Sequence, residues 1–110
     1  MEGESVVIVL CTAPSGDAER IADLAVRKHD AACVNIVGVG SVFRWEGEVQ
    51  RDREELMIFK TTQGRLSILM DTIQGAHPYE VPEIIAVPVI EGAKEYLAWV
   101  AEMVKPPERH

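Results

Sequence analysis

Cys33-Val34-Asn35-Ile36-Val37-Gly38-Val39-Gly40-Ser41-Val42-Phe43-Arg44-Trp45, followed by Glu46-Gly47, decides the fold. β-branched and aromatic residues dominate, and Gly38 and Gly40 mark a bend or bulge rather than a break. Glu46-Gly47 is a turn signal. The chain beyond it, about 49–62, reads as strand again. Two arms of roughly 13 residues make a hairpin about twice the usual strand length. A hairpin this long outruns the core that 110 residues can build. Its distal half carries Val42, Phe43 and Trp45 on unpaired edges, which natural proteins cover. Pairing with another subunit is the simplest cover.

The flanking segments complete a mixed topology. Val6-Val7-Ile8-Val9-Leu10 is a continuous apolar run and reads as a strand buried on both faces. Pro14-Ser15-Gly16 breaks it, and a helix follows over about 17–29. Asp17 and Glu19 suit the positive end of that helix dipole; Arg27, Lys28 and His29 suit the negative end. Ala18, Ile21, Ala22 and Ala25 form its apolar stripe. Leu66, Leu69, Met70 and Ile73 recur at helical spacing, with Gly75 expected to end that helix. Ile84-Ile85-Ala86-Val87 reads as another buried strand, with Pro88 limiting it or placing it at an edge. A last helix is expected over about 93–104, with Leu97, Val100, Ala101 and Val104 on one side. The order β-α-β-β-α-β-α is the α+β, ferredoxin-like plan with one added helix, in a single domain over residues 1–110. Residues 1–5 and 105–110 read as frayed ends.

Between the second helix and the fourth strand lies His77-Pro78-Tyr79-Glu80-Val81-Pro82-Glu83-Ile84. The prolines disfavour helix and hold the segment extended. An imidazole, a phenol and two carboxylates in such a segment look like a site, although fixing the strand entry and packing Tyr79 would explain the same residues. In a ferredoxin-like sheet the first and fourth strands are antiparallel neighbours. The end of the first strand, where Cys11 lies, therefore meets the start of the fourth, which His77, Tyr79, Glu80 and Glu83 approach. A thiolate with an imidazole suits copper or zinc. Cys11 as a small core residue and His77 as a hydrogen-bonded loop residue are the competing readings. Trp45 reads either as an interface anchor or as part of a cleft with Tyr79 and Arg44.

Leu10-Cys11-Thr12-Ala13, Arg44-Trp45-Glu46-Gly47, Lys60-Thr61-Thr62 and the His77 segment, in this order and spacing, resemble the CutA family of divalent-cation-tolerance proteins from about 6 to 104. The resemblance implies the ferredoxin-like fold, assembly as a homotrimer, and binding of copper or other divalent cations. Carried over residue by residue, the implied metal ligands are Cys11 and His77; the remaining donors are expected from Glu80, a neighbouring subunit's carboxylate or water. Relatives with paired histidines before the Pro-Tyr would place a second imidazole where this chain has Ala76. With that donor missing, a weak, exchangeable site is expected rather than a closed structural one.

Composition narrows the classes. A net charge of −7 argues against a general nucleic-acid binder. No apolar run approaches the roughly 20 residues needed to span a bilayer, and the first residues show no signal-peptide pattern. A cytoplasmic location is expected, with Cys11 and Cys33 reduced and unbridged. Two alternatives remain. One is a trimeric signalling module of the PII kind, binding a small molecule between subunits; it rests on fold analogy alone. The other is a Cys11/His77/Glu80 enzyme, which lacks any visible oxyanion hole, and no enzymatic activity is expected.

Overall fold

The computed structural model describes residues 4–106. The strands are β1 (Val6–Ala13), β2 (Cys33–Trp45), β3 (Glu48–Thr62) and β4 (Ile84–Pro88); the helices are α1 (Asp17–Arg27), α2 (Leu66–Ala76) and α3 (Lys94–Met103). A short 3-10 turn, Gln63–Arg65, joins β3 to α2. The sheet runs β2-β3-β1-β4 with every pairing antiparallel. This is the expected ferredoxin-like arrangement. β3 separates the two cysteine-bearing strands, and both thiols are free.

The hairpin turn has two residues, both at positive φ: Glu46 at 50° and Gly47 at 79°. That geometry matches the twist of the flanking strands and suits glycine at the second position. β1 pairs only with the stretch of β3 from Glu55 to Thr62. The rungs from Val39↔Glu54 to Trp45↔Glu48 therefore have no third strand and project about 20 Å beyond the sheet. This overhang contributes to overall dimensions of 49 × 33 × 20 Å.

Strand alternation separates two faces. Val9, Cys11 and Ala13 of β1 and Met57 and Phe59 of β3 pack with Ala18, Ile21 and Ala25 of α1 and Leu69 and Ile73 of α2. On the other face α3 lies over β1 and β3, burying Val100 and Val104. There burial, and then the neighbouring Cys33, raise the Tyr96 pKa.

Three expectations change. α1 ends at Arg27 because His29 takes φ 64°, which directs the Asp30 N–H back to the Ala25 carbonyl at 2.9 Å. α2 runs through Gly75 to Ala76; it stops where His77, preceding Pro78, becomes extended. β4 is not a buried strand. It lies at the sheet's edge, one of the two places that Pro88 allowed, but only its Ile84 packs against the core, and Ile85 and Val87 are exposed. Of the stretches read as frayed, 1–3 and 107–110 lie outside the described residues. The Ser5 carbonyl accepts from the Gln63 N–H at 2.8 Å, and His29 Nδ1 lies 3.0 Å from the Lys105 carbonyl.

Candidate metal centre

The β1–β4 pairing places Cys11 opposite Ile84, at the entrance of β4. The thiol is fully buried in the helix-side core, and Sγ lies 3.7 Å from the Thr12 carbonyl oxygen. Burial first, and then the negative charges of Glu83 and Glu54, push the thiol up to about 12. Cys11 is therefore protonated at neutral pH.

His77 caps the end of α2. Its N–H donates to the Ile73 carbonyl at 2.9 Å, and its ring is nearly buried. Nε2 lies 2.8 Å from the same Thr12 carbonyl oxygen, and Nδ1 lies 3.0 Å from the Tyr79 backbone N–H. A carbonyl only accepts and an N–H only donates, so these partners assign the proton to Nε2 and the lone pair to Nδ1. The ring leans on Tyr79, with centroids 5.0 Å apart. The Tyr79 hydroxyl donates to Glu54 Oε2 at 3.1 Å. Partial burial, the Glu54 bond and charge, and then Asp52 and Asp17 raise its pKa. Arg20 fastens the segment to α1: its guanidinium bonds Asp17 at 3.0 Å and the Ala76 carbonyl at 2.8 Å.

Cys11 and His77 thus meet at one backbone oxygen. That corner offers sulfur, nitrogen and oxygen donors, although in this arrangement the thiol holds its proton and both imidazole nitrogens are engaged. Among the described residues no three or more His, Cys, Asp or Glu side chains converge as a cation site. Glu80 is exposed and makes no described contact with the corner. Arg44 and Trp45 lie at the hairpin tip, with Trp45 61% exposed. Tyr79 reaches the hairpin at Glu54, paired with Val39, six positions short of Trp45. Within the chain the cleft of Arg44, Trp45 and Tyr79 does not assemble; about 20 Å of strand separates its parts.

Two groups of contributors were not visible in the sequence. Glu54 becomes Tyr79's partner only because β1 ends at Ala13, opposite Glu55, which leaves β3 open just beyond that point to the segment leading into β4; nothing in its own neighbourhood distinguishes it from Glu55. Asp30 is 1% exposed and holds a polar hub. Its carboxylate takes Arg65 at 3.1 Å and the Thr72 hydroxyl at 2.6 Å, and its carbonyl takes the Thr61 hydroxyl at 2.7 Å. The hub ties the end of α1 to β3 and α2. The only signal for it was an acid next to the apolar Ala31-Ala32-Cys33.

A ferredoxin-like chain with an overlong hairpin, and a cysteine and a histidine meeting where β1 passes β4, defines a small class of α+β proteins; no helix among the described residues is long and apolar enough to cross a bilayer. Residues 7–103 match the family described as CutA1 divalent ion tolerance protein, and the chain belongs to that family. It is 47% identical over 97 residues to the divalent-cation tolerance protein CutA of Thermus thermophilus, covering 86% of this chain and 94% of that one. It is 45% identical to the chloroplastic protein CutA of Arabidopsis thaliana, of which the match spans only 53%. The structure of the periplasmic divalent cation tolerance protein CutA from Archaeoglobus fulgidus superposes with a TM-score of 0.89 at 40% identity, covering 91% of this chain and 99% of that one. These matches do not favour the signalling-module alternative. The Thermus and Archaeoglobus relatives are named as tolerance proteins.

Proposed function

We propose that this protein is the protomer of a homotrimer that binds copper or another divalent cation as exchangeable cargo at the Cys11–Thr12–His77 corner, in a cytoplasmic metal-tolerance role. The observation that carries the reading is the Thr12 carbonyl oxygen, contacted by both the Cys11 thiol and the His77 imidazole. Glu54 and Glu83 make the potential there negative enough to bear on the thiol. A cation entering the corner must displace the Cys11 proton and one of the two bonds that hold the imidazole. With the thiol at about 12, deprotonation at pH 7 costs about 7 kcal/mol, which the metal–sulfur bond has to offset. Weak, pH-dependent binding follows. Glu80, water or a neighbouring subunit's carboxylate would supply the remaining donors.

The trimer reading rests on uncovered apolar surface. Val37, Phe43, Trp45, Ile85 and Val87 share the sheet face opposite α1 and α2, and all are exposed in the protomer. Burying side chains of this size stabilises by about 1.5–3 kcal/mol each. The cytoplasmic assignment draws on the two unbridged thiols, which suit a reducing compartment. An enzymatic role gains no support from the ring, whose lone pair is taken by the Tyr79 N–H rather than turned to the thiol.

The test is a copper titration followed by the thiolate-to-copper charge-transfer band, in wild type and the Cys11→Ser/His77→Ala double variant. Weaker binding and loss of the band in the variant are expected. Equal affinity, or a wild-type complex without sulfur ligation, refutes the site.

A further inference from the structure

The hairpin overhang carries opposite charges on its two faces. Along β3 the side chains alternate, so Glu48, Asp52 and Glu54 share one face while Arg51 and Arg53 share the other. Arg51 sits opposite Val42 and Arg53 opposite Gly40, and Arg44 lies diagonal to Arg51 on the same face. An open groove of about 560 Å³ runs here, lined by Gly40, Ser41, Val42, Arg51, Asp52 and Arg53. The space over Gly40 is open: a Cβ there would meet nothing within 4 Å.

These guanidinium groups differ from the others described. Arg20, Arg27 and Arg65 are each ion-paired to an aspartate at 2.7–3.1 Å. Among the described residues, the Arg44, Arg51 and Arg53 guanidinium groups form no ion pair, although Glu46, Glu48, Asp52, Glu54 and Glu55 are close in sequence; the Asp52 carboxylate accepts instead from the Arg53 backbone N–H at 3.0 Å. In a chain of net charge −7, three unpaired arginines on one face of one hairpin concentrate positive charge. Arg51 and Arg53 stand about 6.6 Å apart along the strand. That spacing suits an anion with charge at more than one centre, and guanidinium forks match phosphate oxygens in bidentate pairs. The groove's side-chain lining holds no aromatic ring on which a base could stack.

We propose that this groove binds a linear polyphosphate, the phosphate chain lying along β3 across Arg51 and Arg53 with Arg44 at its end. The recognition is of the phosphates alone. Inorganic tripolyphosphate and the triphosphate of a nucleotide share that chemistry, and the experiment separates them.

The intact protein is titrated calorimetrically, in metal-free buffer containing a chelator, with tripolyphosphate, ATP and orthophosphate. Tripolyphosphate should bind, ATP no more tightly, orthophosphate far more weakly, and added salt should weaken all three. Arg51→Gln and Arg53→Gln should each lower tripolyphosphate affinity about tenfold. Arg27→Gln, which removes an already paired arginine, should leave it unchanged. The proposal is overturned if tripolyphosphate does not bind, if the Arg51→Gln/Arg53→Gln variant binds it as wild type does, or if ATP alone binds, which would mean base recognition elsewhere. It is also overturned if native mass spectrometry finds that double variant dissociated, since the arginines would then be serving subunit pairing. None of these outcomes touches the Cys11–His77 titration, so the two readings stand or fall separately.

Discussion

Cys11 makes the buried corner accountable to a pH measurement. Its thiol is lifted from 9.0 to about 12 in the folded chain, chiefly by burial. Between those values the unfolded chain ionises its thiol while the folded chain cannot. The folded state then binds more protons, so stability is complete below about pH 9 and falls as pH rises. At pH 10.5 the loss is one and a half pKa units, about 2 kcal/mol per protomer. Other groups also titrate in this range, so the difference between wild type and Cys11→Ala is the quantity to measure. Denaturant unfolding at pH 7.5 and pH 10.5, at one protomer concentration, supplies it. Alanine costs stability at both pH values through lost packing, but its deficit should shrink by about 2 kcal/mol at the higher pH. Parallel losses in the two proteins would mean that the thiol ionises as freely folded as unfolded. The burial argument, and the proton competition expected of copper, would then both fail.

Three other outcomes are expected. Trp45→Ala should shift sedimentation of the native assembly toward protomers, at about 3–5 kcal/mol for the lost packing; Trp45 is mostly exposed in the single chain, so an unchanged association constant refutes its interface role. Asp30→Ala leaves Arg65 without its carboxylate and should cost about 3–5 kcal/mol in chemical denaturation, and a loss below about 1 kcal/mol would show the hub to be dispensable. Ala76→His should tighten copper binding by adding a donor, yet lower the melting temperature, because Ala76 packs against the core and a larger side chain there costs about 1–3 kcal/mol; unchanged affinity would refute the ligand-count argument.

Much of the fold was legible because it is written locally. The hairpin's two arms and its Glu46-Gly47 turn follow from β-branched runs and one glycine at positive φ, and the structure places them within a residue of the expected bounds. The helix stripes follow from spacing. The misjudged features were non-local. Gly75 looks like a stop, but the end of α2 is set by Pro78 acting on His77. Ile84-Ile85-Ala86-Val87 is apolar throughout, and its composition cannot distinguish a strand covered within its own chain from an edge strand whose outer face is left open.

The candidate site divides in the same way. The sequence by itself determined which groups are available: a thiol ending β1, an imidazole held extended by prolines, and a missing donor at Ala76. Only the tertiary structure decided their chemical state. Protonation and hydrogen bonding depend on neighbours remote in sequence. Thr12 receives His77 from 65 residues away, Glu54 meets Tyr79 across the sheet, and burial beneath α1 and α2 keeps Cys11 protonated. A residue's type fixes the chemistry it could perform; the dielectric and the partners that folding places around it fix which part of that chemistry is open to it.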